Sequence, residues 1–428
     1  MNYENVDLSS LSLDQSLLEQ INPVFNTAKM TLFQLAASGN KDAASISEKL
    51  GLTYEETQSN SSTEEFNLGA VIMEIRYRTM AAMAIESGYG TEVDLPCGYT
   101  PRAIEFARKG IRFKGLDLPA AIAEASPAIT SLIDEDSRHL ASFEGVDATN
   151  YSSLKKAFDD IDGEVCITTE GLMMYFTDSE AGEFCDNIRR ILVEHGGCWI
   201  TADPETALQY ILIAKVVYAD RFMEVMLRGK KRAEDRSDVQ VSSRTMVIDP
   251  SNAVENMKKA MMFLARHGLK AERLTVADYA PELASLKNFT SEQAEAIKRT
   301  LSQFAYWKIT PIAGVSMDTT CAKADTFELK AELDEGKLLL RPIGRLDTLT
   351  SPGLLTFFEN TVKDNAADEV IIDCEGLEYI SSAGLRVLLI MSNECSGNLT
   401  AINIKKGVME IIEQTGFDSV LNLDPVQG

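Results

Sequence analysis

The chain has 428 residues, ample for two or three domains, and its 45% hydrophobic and 25% charged content is that of an ordinary globular protein. A formal net charge of −24 argues against partners that are gripped by clustered Lys and Arg, so neither nucleic acid nor an anionic membrane surface is expected. The cysteines at 97, 166, 185, 198, 321, 374 and 395 never fall at Cys-x-x-Cys spacing, and His139, His195 and His267 are the only histidines, so no metal site is expected. Scattered thiols, an N-terminus without a basic region and apolar core, and the lack of an apolar run near the ~20 residues that span a bilayer point to a cytoplasmic protein.

In chain order, Leu17, Leu18, Ile21, Phe25, Met30, Phe33 and Leu35 recur at helical spacing and predict helix across 8–50. The polar run 57–65 predicts a loop, and a helix over 66–86 carries Arg76 and Arg78. Residues 91–117 then read as one strand–loop–helix–strand unit. A strand ends at Asp94-Leu95, a tight loop follows at Pro96-Cys97-Gly98-Tyr99, a helix runs over 101–109, and Gly110 stops it before a second strand that ends on Asp117. Ligands of parallel α/β sheets bind beyond the carboxyl ends of strands, where an acidic residue at the second strand's tip can accept hydrogen bonds from ribose hydroxyls. Asp117 lies at that tip. A dinucleotide fingerprint needs three glycines and only Gly98 is present, so a nicotinamide dinucleotide is not expected.

This unit resembles motif I and its acidic partner in class I S-adenosylmethionine-dependent methyltransferases. Asp94-Leu95-Pro96-Cys97-Gly98-Tyr99-Thr100-Pro101-Arg102 is similar to the Gly-x-x-Thr-Arg neighbourhood of leucine carboxyl methyltransferase-like enzymes, a family that includes polyketide O-methyltransferases. Pro96 stands where that family usually has glycine. The resemblance implies S-adenosyl-L-methionine as cofactor, with Asp94, Cys97, Gly98, Asp117 and Leu118 around it. It also implies an Arg on the preceding helix for the carboxylate of the cofactor's methionine part: Arg78, with Arg76 in reserve.

A helix over 119–133, a strand over 140–143 and a helix over 151–159 follow; the resemblance puts Asp147 and Ala148, just after the strand, near the adenine. Strand 164–169 runs into Glu170-Gly171-Leu172-Met173-Met174-Tyr175-Phe176-Thr177, which resembles the family's Glu-Gly-Leu-x-x-Tyr-Leu segment beside the transferred methyl. That implies catalytic roles for Glu170 and Tyr175 and a cofactor contact for Glu170, against the plain reading of a solvent-facing Glu and a core Tyr. Helix 178–194 and strand 198–202 continue the alternation, and Asp203-Pro204-Glu205 caps that strand. The stretch 206–245 reads as a lid-like insertion that would hold the acceptor. Helix 251–267, strand 271–276, helix 291–304 and strand 306–312 complete seven strands, the last antiparallel by the resemblance.

Composition changes at 313–325, expected as a linker between a 1–312 domain, with 1–88 as helical lead-in, and a 326–428 domain. The latter reads as a hairpin of 327–333 with 337–344, then helix 351–364, strand 369–374, helix 384–395, strand 399–404 and helix 407–415. Along its length it resembles a STAS domain, the fold of anti-sigma factor antagonists, most specifically at Val370-Ile371-Ile372-Asp373 and Ser381-Ser382-Ala383-Gly384-Leu385. Ser382 takes the position of the serine that an anti-sigma kinase phosphorylates in that family; Ser381 replaces the usual Asp, and Ser382 also suits a helix cap. The whole is expected to be α/β: a Rossmann-like methyltransferase sheet plus a small STAS domain. The implied function is an O- or carboxyl-directed methyltransferase acting on a small-molecule or protein acceptor, coupled to a module that binds an anti-sigma-type partner. A non-catalytic S-adenosylmethionine sensor acting as an anti-sigma factor antagonist is the alternative.

Overall fold

The computed structural model describes residues 2–3, 6, 24–52, 62–227, 245–279, 282–314, 327–334, 336–365, 369–395 and 397–424. Residues 315–325 of the expected linker at 313–325, the part of the expected 8–50 helical stretch before residue 24, and residues 228–244 of the expected insertion lie outside them. The chain forms two compact units: residues 25–149 with 153–315, and residues 316–428 with 1–24 and 150–152. The short strand β1 (Asn2–Tyr3) belongs to the second.

The first unit opens with helices α1 (Val24–Ala37), α2 (Lys41–Lys49) and α3 (Thr63–Ser87). Residues 63–65, expected in a loop, are the first turn of α3. The Ser62 hydroxyl accepts from the Glu65 N–H and the Glu65 carboxylate accepts from the Ser62 N–H, a reciprocal cap that rewards polar residues at a helix start. Beyond this turn α3 buries Leu68, Val71, Ile75, Met80 and Met83, which makes it a core helix.

Strands and helices then alternate: β2 (Thr91–Asp94), α4 (Arg102–Arg108), β3 (Arg112–Asp117), α5 (Pro119–Thr130), β4 (Ala141–Gly145), α6 (Tyr151–Phe158), β5 (Val165–Thr169), α7 (Asp178–His195) and β6 (Gly197–Thr201). After α8 (Thr206–Tyr218) come α9 (Ala253–Arg266), β7 (Leu269–Thr275), α10 (Ser291–Thr300) and β8 (Ala305–Pro311). The sheet order is β4-β3-β2-β5-β6-β8-β7. Strands β2 to β6 pair in parallel, and β8 runs antiparallel to both neighbours. This is the Rossmann-like order and the antiparallel last strand that the sequence led us to expect. Every residue of β2 and of β5 is buried, as strands covered on both faces require. The order reverses at β2, between β3 and β5, and a crevice is expected beyond the carboxyl ends at that switch point.

In the second unit β9 (Phe327–Asp334) and β10 (Lys337–Leu346) form the expected hairpin, followed by α11 (Ser351–Asn365), β11 (Glu369–Asp373), β12 (Leu377–Ile380), α12 (Ser382–Glu394), β13 (Leu399–Ile402), α13 (Lys406–Thr415) and β14 (Asn422–Leu423). The order is β1-β9-β10-β11-β13-β14, with β12 paired to β10. Three short strands escape sequence reading because two to four residues show no period. One of them, β1, lines the outer edge of β9, with Asn2 opposite Glu332 and Tyr3 opposite Ala331. Leu340, Phe358, Ile372 and Leu388 lie in the core. Among the described residues no helix is long and apolar enough to cross a membrane, and no group of three or more His, Cys, Asp or Glu is placed to hold a metal ion.

Candidate functional site

At the switch point a chain of buried charges joins four segments. Asp94, the last residue of β2, is fully buried. Arg102, the first residue of α4, reaches back to it, with one terminal nitrogen 3.0 and 2.9 Å from the two Asp94 oxygens. The other terminal nitrogen of Arg102 donates to Glu170, just past β5. Arg76, from α3, donates through Nε to the second Glu170 oxygen at 3.3 Å. Burial pushes the Glu170 carboxyl up, but Arg102 and Arg76 outweigh it and hold the group below the usual carboxylate range. Glu170 therefore stays ionised and is a weak base.

Asp203, just past β6, fixes the turn that follows Glu170. Its carboxylate accepts from the backbone N–H groups of Gly171, Leu172 and Met173 at 2.5, 2.8 and 2.8 Å. Gly171 has φ +73°, so glycine suits the turn. Tyr175 follows in the one-turn helix Met173–Tyr175 and is half-buried.

Below this layer the Thr168 hydroxyl lies 2.7 Å from a Glu92 oxygen and 3.2 Å from an Asp94 oxygen. One hydroxyl hydrogen cannot serve both contacts well, and a proton on Glu92 resolves the conflict. Burial, with Asp94 adding to it, raises the Glu92 carboxyl to about 8, so it carries that proton at neutral pH.

Asp117 sits at the tip of β3, as expected. One of its oxygens accepts from the Gly98 N–H at 2.8 Å and the other from the Leu118 N–H at 2.7 Å, which joins the tips of β2 and β3. Burial nonetheless raises its carboxyl to about 6. Gly98 needs its freedom, with φ +52°. Cys97 is buried, donates its N–H to the Leu116 carbonyl, and has its thiol pushed well up by burial, so it packs rather than reacts. Asp147 is buried, and one of its oxygens accepts from both the N–H and the hydroxyl of Thr149, which caps the turn after β4; the next carbonyl, of Ala148, accepts from the Asn187 amide.

The structure places the two candidate arginines of α3 differently. Arg78 is 42% exposed and pairs with Glu74, whose carboxylate also holds the Ala284 and Ser285 N–H groups; Arg76, two residues earlier and so on another face of the helix, is the one that meets Glu170. Sequence reasoning also gave no role to Arg102, although it stands in the quoted motif, nor to Asp203, whose only signal was its place just after a strand. Tyr306, on β8, carried no signal at all.

In the second unit the cap of α12 is Ser381, not Ser382. Ser381 is buried and its hydroxyl accepts from the Gly384 N–H at 3.2 Å, while Ser382 is the half-buried first residue of the helix.

Residues 328–427 match the family model of the STAS domain. A curated relative, the candidate anti-sigma factor antagonist BtrV of Bordetella bronchiseptica, is 38% identical over 60 residues, 13% of this chain and 52% of that protein. The chain thus spans about half the length of the curated relative it matches. Among solved structures, an anti-sigma factor antagonist from Mycobacterium paratuberculosis aligns with 24% of this chain and 90% of its own, at 22% identity and TM-score 0.23. Magnesium protoporphyrin IX methyltransferase from Synechocystis PCC 6803 with bound SAH aligns with 55% of this chain and 87% of its own, at 11% identity and TM-score 0.34. The C-terminal unit of this chain is a STAS domain.

Proposed function

We propose that the first unit binds S-adenosyl-L-methionine and transfers a methyl group to an oxygen of a small-molecule or protein acceptor, and that the STAS unit couples this activity to an anti-sigma-type protein partner. The observation that carries the reading is the arrangement at the switch point, where Asp117 and the Gly98 loop stand at the tips of β3 and β2 and Arg76 meets Glu170 just past β5. The residues fit the cofactor. Each Asp117 oxygen accepts a single protein N–H and keeps a lone pair for a ribose hydroxyl. Arg76 uses only Nε on Glu170, and its two terminal nitrogens, without a partner among the described residues, form a planar fork for a carboxylate. When bound, the cofactor supplies a methyl group on a sulfonium, which leaves in an in-line displacement.

What remains for the protein is alignment and exclusion of water. Glu170 is anchored by two guanidiniums and by the Asp203-bound turn, and it holds the Arg76 side chain in place. As a weak base it does little to deprotonate an alcohol. That favours an acceptor that arrives already ionised, a carboxylate or an acidic hydroxyl. The test is product formation: the full chain, S-adenosylmethionine and a panel of carboxylate and phenolic acceptors should yield S-adenosylhomocysteine. If the protein binds the cofactor and no acceptor class raises its turnover, the enzymatic reading fails.

On the STAS unit, we assign Ser382 as the candidate phosphorylation site, since it opens α12 where free N–H groups and the helix dipole accommodate phosphate. Six free cysteines are buried among the described residues, which suits a reducing cytoplasm.

A further inference from the structure

Tyr306 is buried to 1% exposure, yet its hydroxyl has no hydrogen-bond partner among the described residues. Buried hydroxyls are nearly always bonded, so an orphan of this kind asks for a ligand or a water. Its place can be read from the register: Thr201 of β6 faces Trp307 of β8, so Tyr306 lies one residue further on, beside the Ala202-Asp203 step that leaves β6. Four charged groups act on it there: Glu170, Arg76, Arg102 and Asp203. Of these, Glu170 is occupied by two guanidiniums, Arg102 by two carboxylates and Asp203 by three N–H groups. Arg76 keeps two donors in hand, the terminal nitrogens of its fork, while Arg102 keeps only its buried Nε. Tyr306 and Arg76 are thus two donors without acceptors at the same strand ends, and an anion would serve both.

We propose that the Tyr306 hydroxyl and the Arg76 fork together form a carboxylate-binding subsite that holds the amino-acid end of the cofactor. This rests on the methyltransferase reading and adds to it a residue from β8. A hydroxyl donor beside a guanidinium selects a ligand that carries the carboxylate over one that lacks it, because each donor left unpaired in a buried site weakens binding.

The experiment compares two probes by calorimetry on the full chain: S-adenosylhomocysteine, which has the carboxylate, and 5′-methylthioadenosine, which keeps the nucleoside and thioether but has no amino-acid part. Tyr306→Phe should weaken S-adenosylhomocysteine roughly ten-fold and leave methylthioadenosine within about two-fold. Arg76→Lys, which keeps the charge and removes the fork, should show the same selective loss. Retained methylthioadenosine binding also certifies that each variant is folded. Equal binding of S-adenosylhomocysteine by wild type and Tyr306→Phe overturns the subsite, and so does an equal loss of both probes. A folded wild type that binds neither probe overturns the methyltransferase reading itself.

Discussion

The strand ends around Glu170 and the start of α12 both bury polar atoms, and they do so in opposite ways. At α12 a serine hydroxyl meets an N–H three residues along the chain, so the contact is written into one short stretch. Around Glu170 the partners come from far away, Arg102 at 68 residues and Arg76 at 94. A local cap is worth little and water can replace part of it. A buried charge network behaves otherwise, because removing one member strands the rest without water.

That contrast orders the expected effects. Arg102→Met should be the most damaging change, since it leaves Asp94 and Glu170 buried without their shared cation; about 3–5 kcal/mol of unfolding free energy should be lost in a urea titration. A loss under ~1 kcal/mol would mean that the network relaxes and is no more demanding than a cap.

Glu92 gives the network a pH signature. Its carboxyl titrates near 4.5 when unperturbed and near 8 in the fold, so between those values the folded chain holds a proton that the unfolded chain has released. Stability should fall as pH rises through that window and level off above it, by on the order of 5 kcal/mol. Glu92→Gln, neutral at every pH, should flatten the fall. An unchanged slope in that variant would assign the pH dependence elsewhere.

At α12, Ser381→Ala should cost about 1 kcal/mol, the usual worth of a cap, whereas Ser382→Ala should stay within about 0.5 kcal/mol of wild type. Equal losses would erase the distinction between the two serines. Ser382→Asp should keep the fold, because a negative charge is welcome at a helix start, and should weaken capture of an anti-sigma-type protein. Undiminished capture would remove the switch role of Ser382.

The same contrast explains what could be read from the sequence. Strand–helix alternation with punctuating Pro and Gly carried the fold of both units, and Asp117 was legible because strand tips are marked by sequence order. The α12 start was located within two residues, but which serine caps it depended on the burial of Ser381. Arg78 was favoured over Arg76 by motif likeness, whereas the place of each side chain depends on helix phase: Glu74, one turn before Arg78, pairs with it. Asp203 was legible only as a strand cap and Tyr306 not at all, because their roles depend on which strands lie side by side, and β8 reaches β6 only after more than a hundred residues of intervening chain. Strand β1 is too short to show a period, and its partner lies near the other end of the sequence.

The central claim is that the first unit is built around S-adenosylmethionine, with Asp117 holding the ribose. Calorimetric titration of the full chain with S-adenosylmethionine tests it most directly. One cofactor should bind per chain, and Asp117→Ala should weaken binding by about 1–3 kcal/mol, since ribose hydroxyls would lose their acceptor in a buried site. A folded wild-type protein that takes up no cofactor would contradict the account.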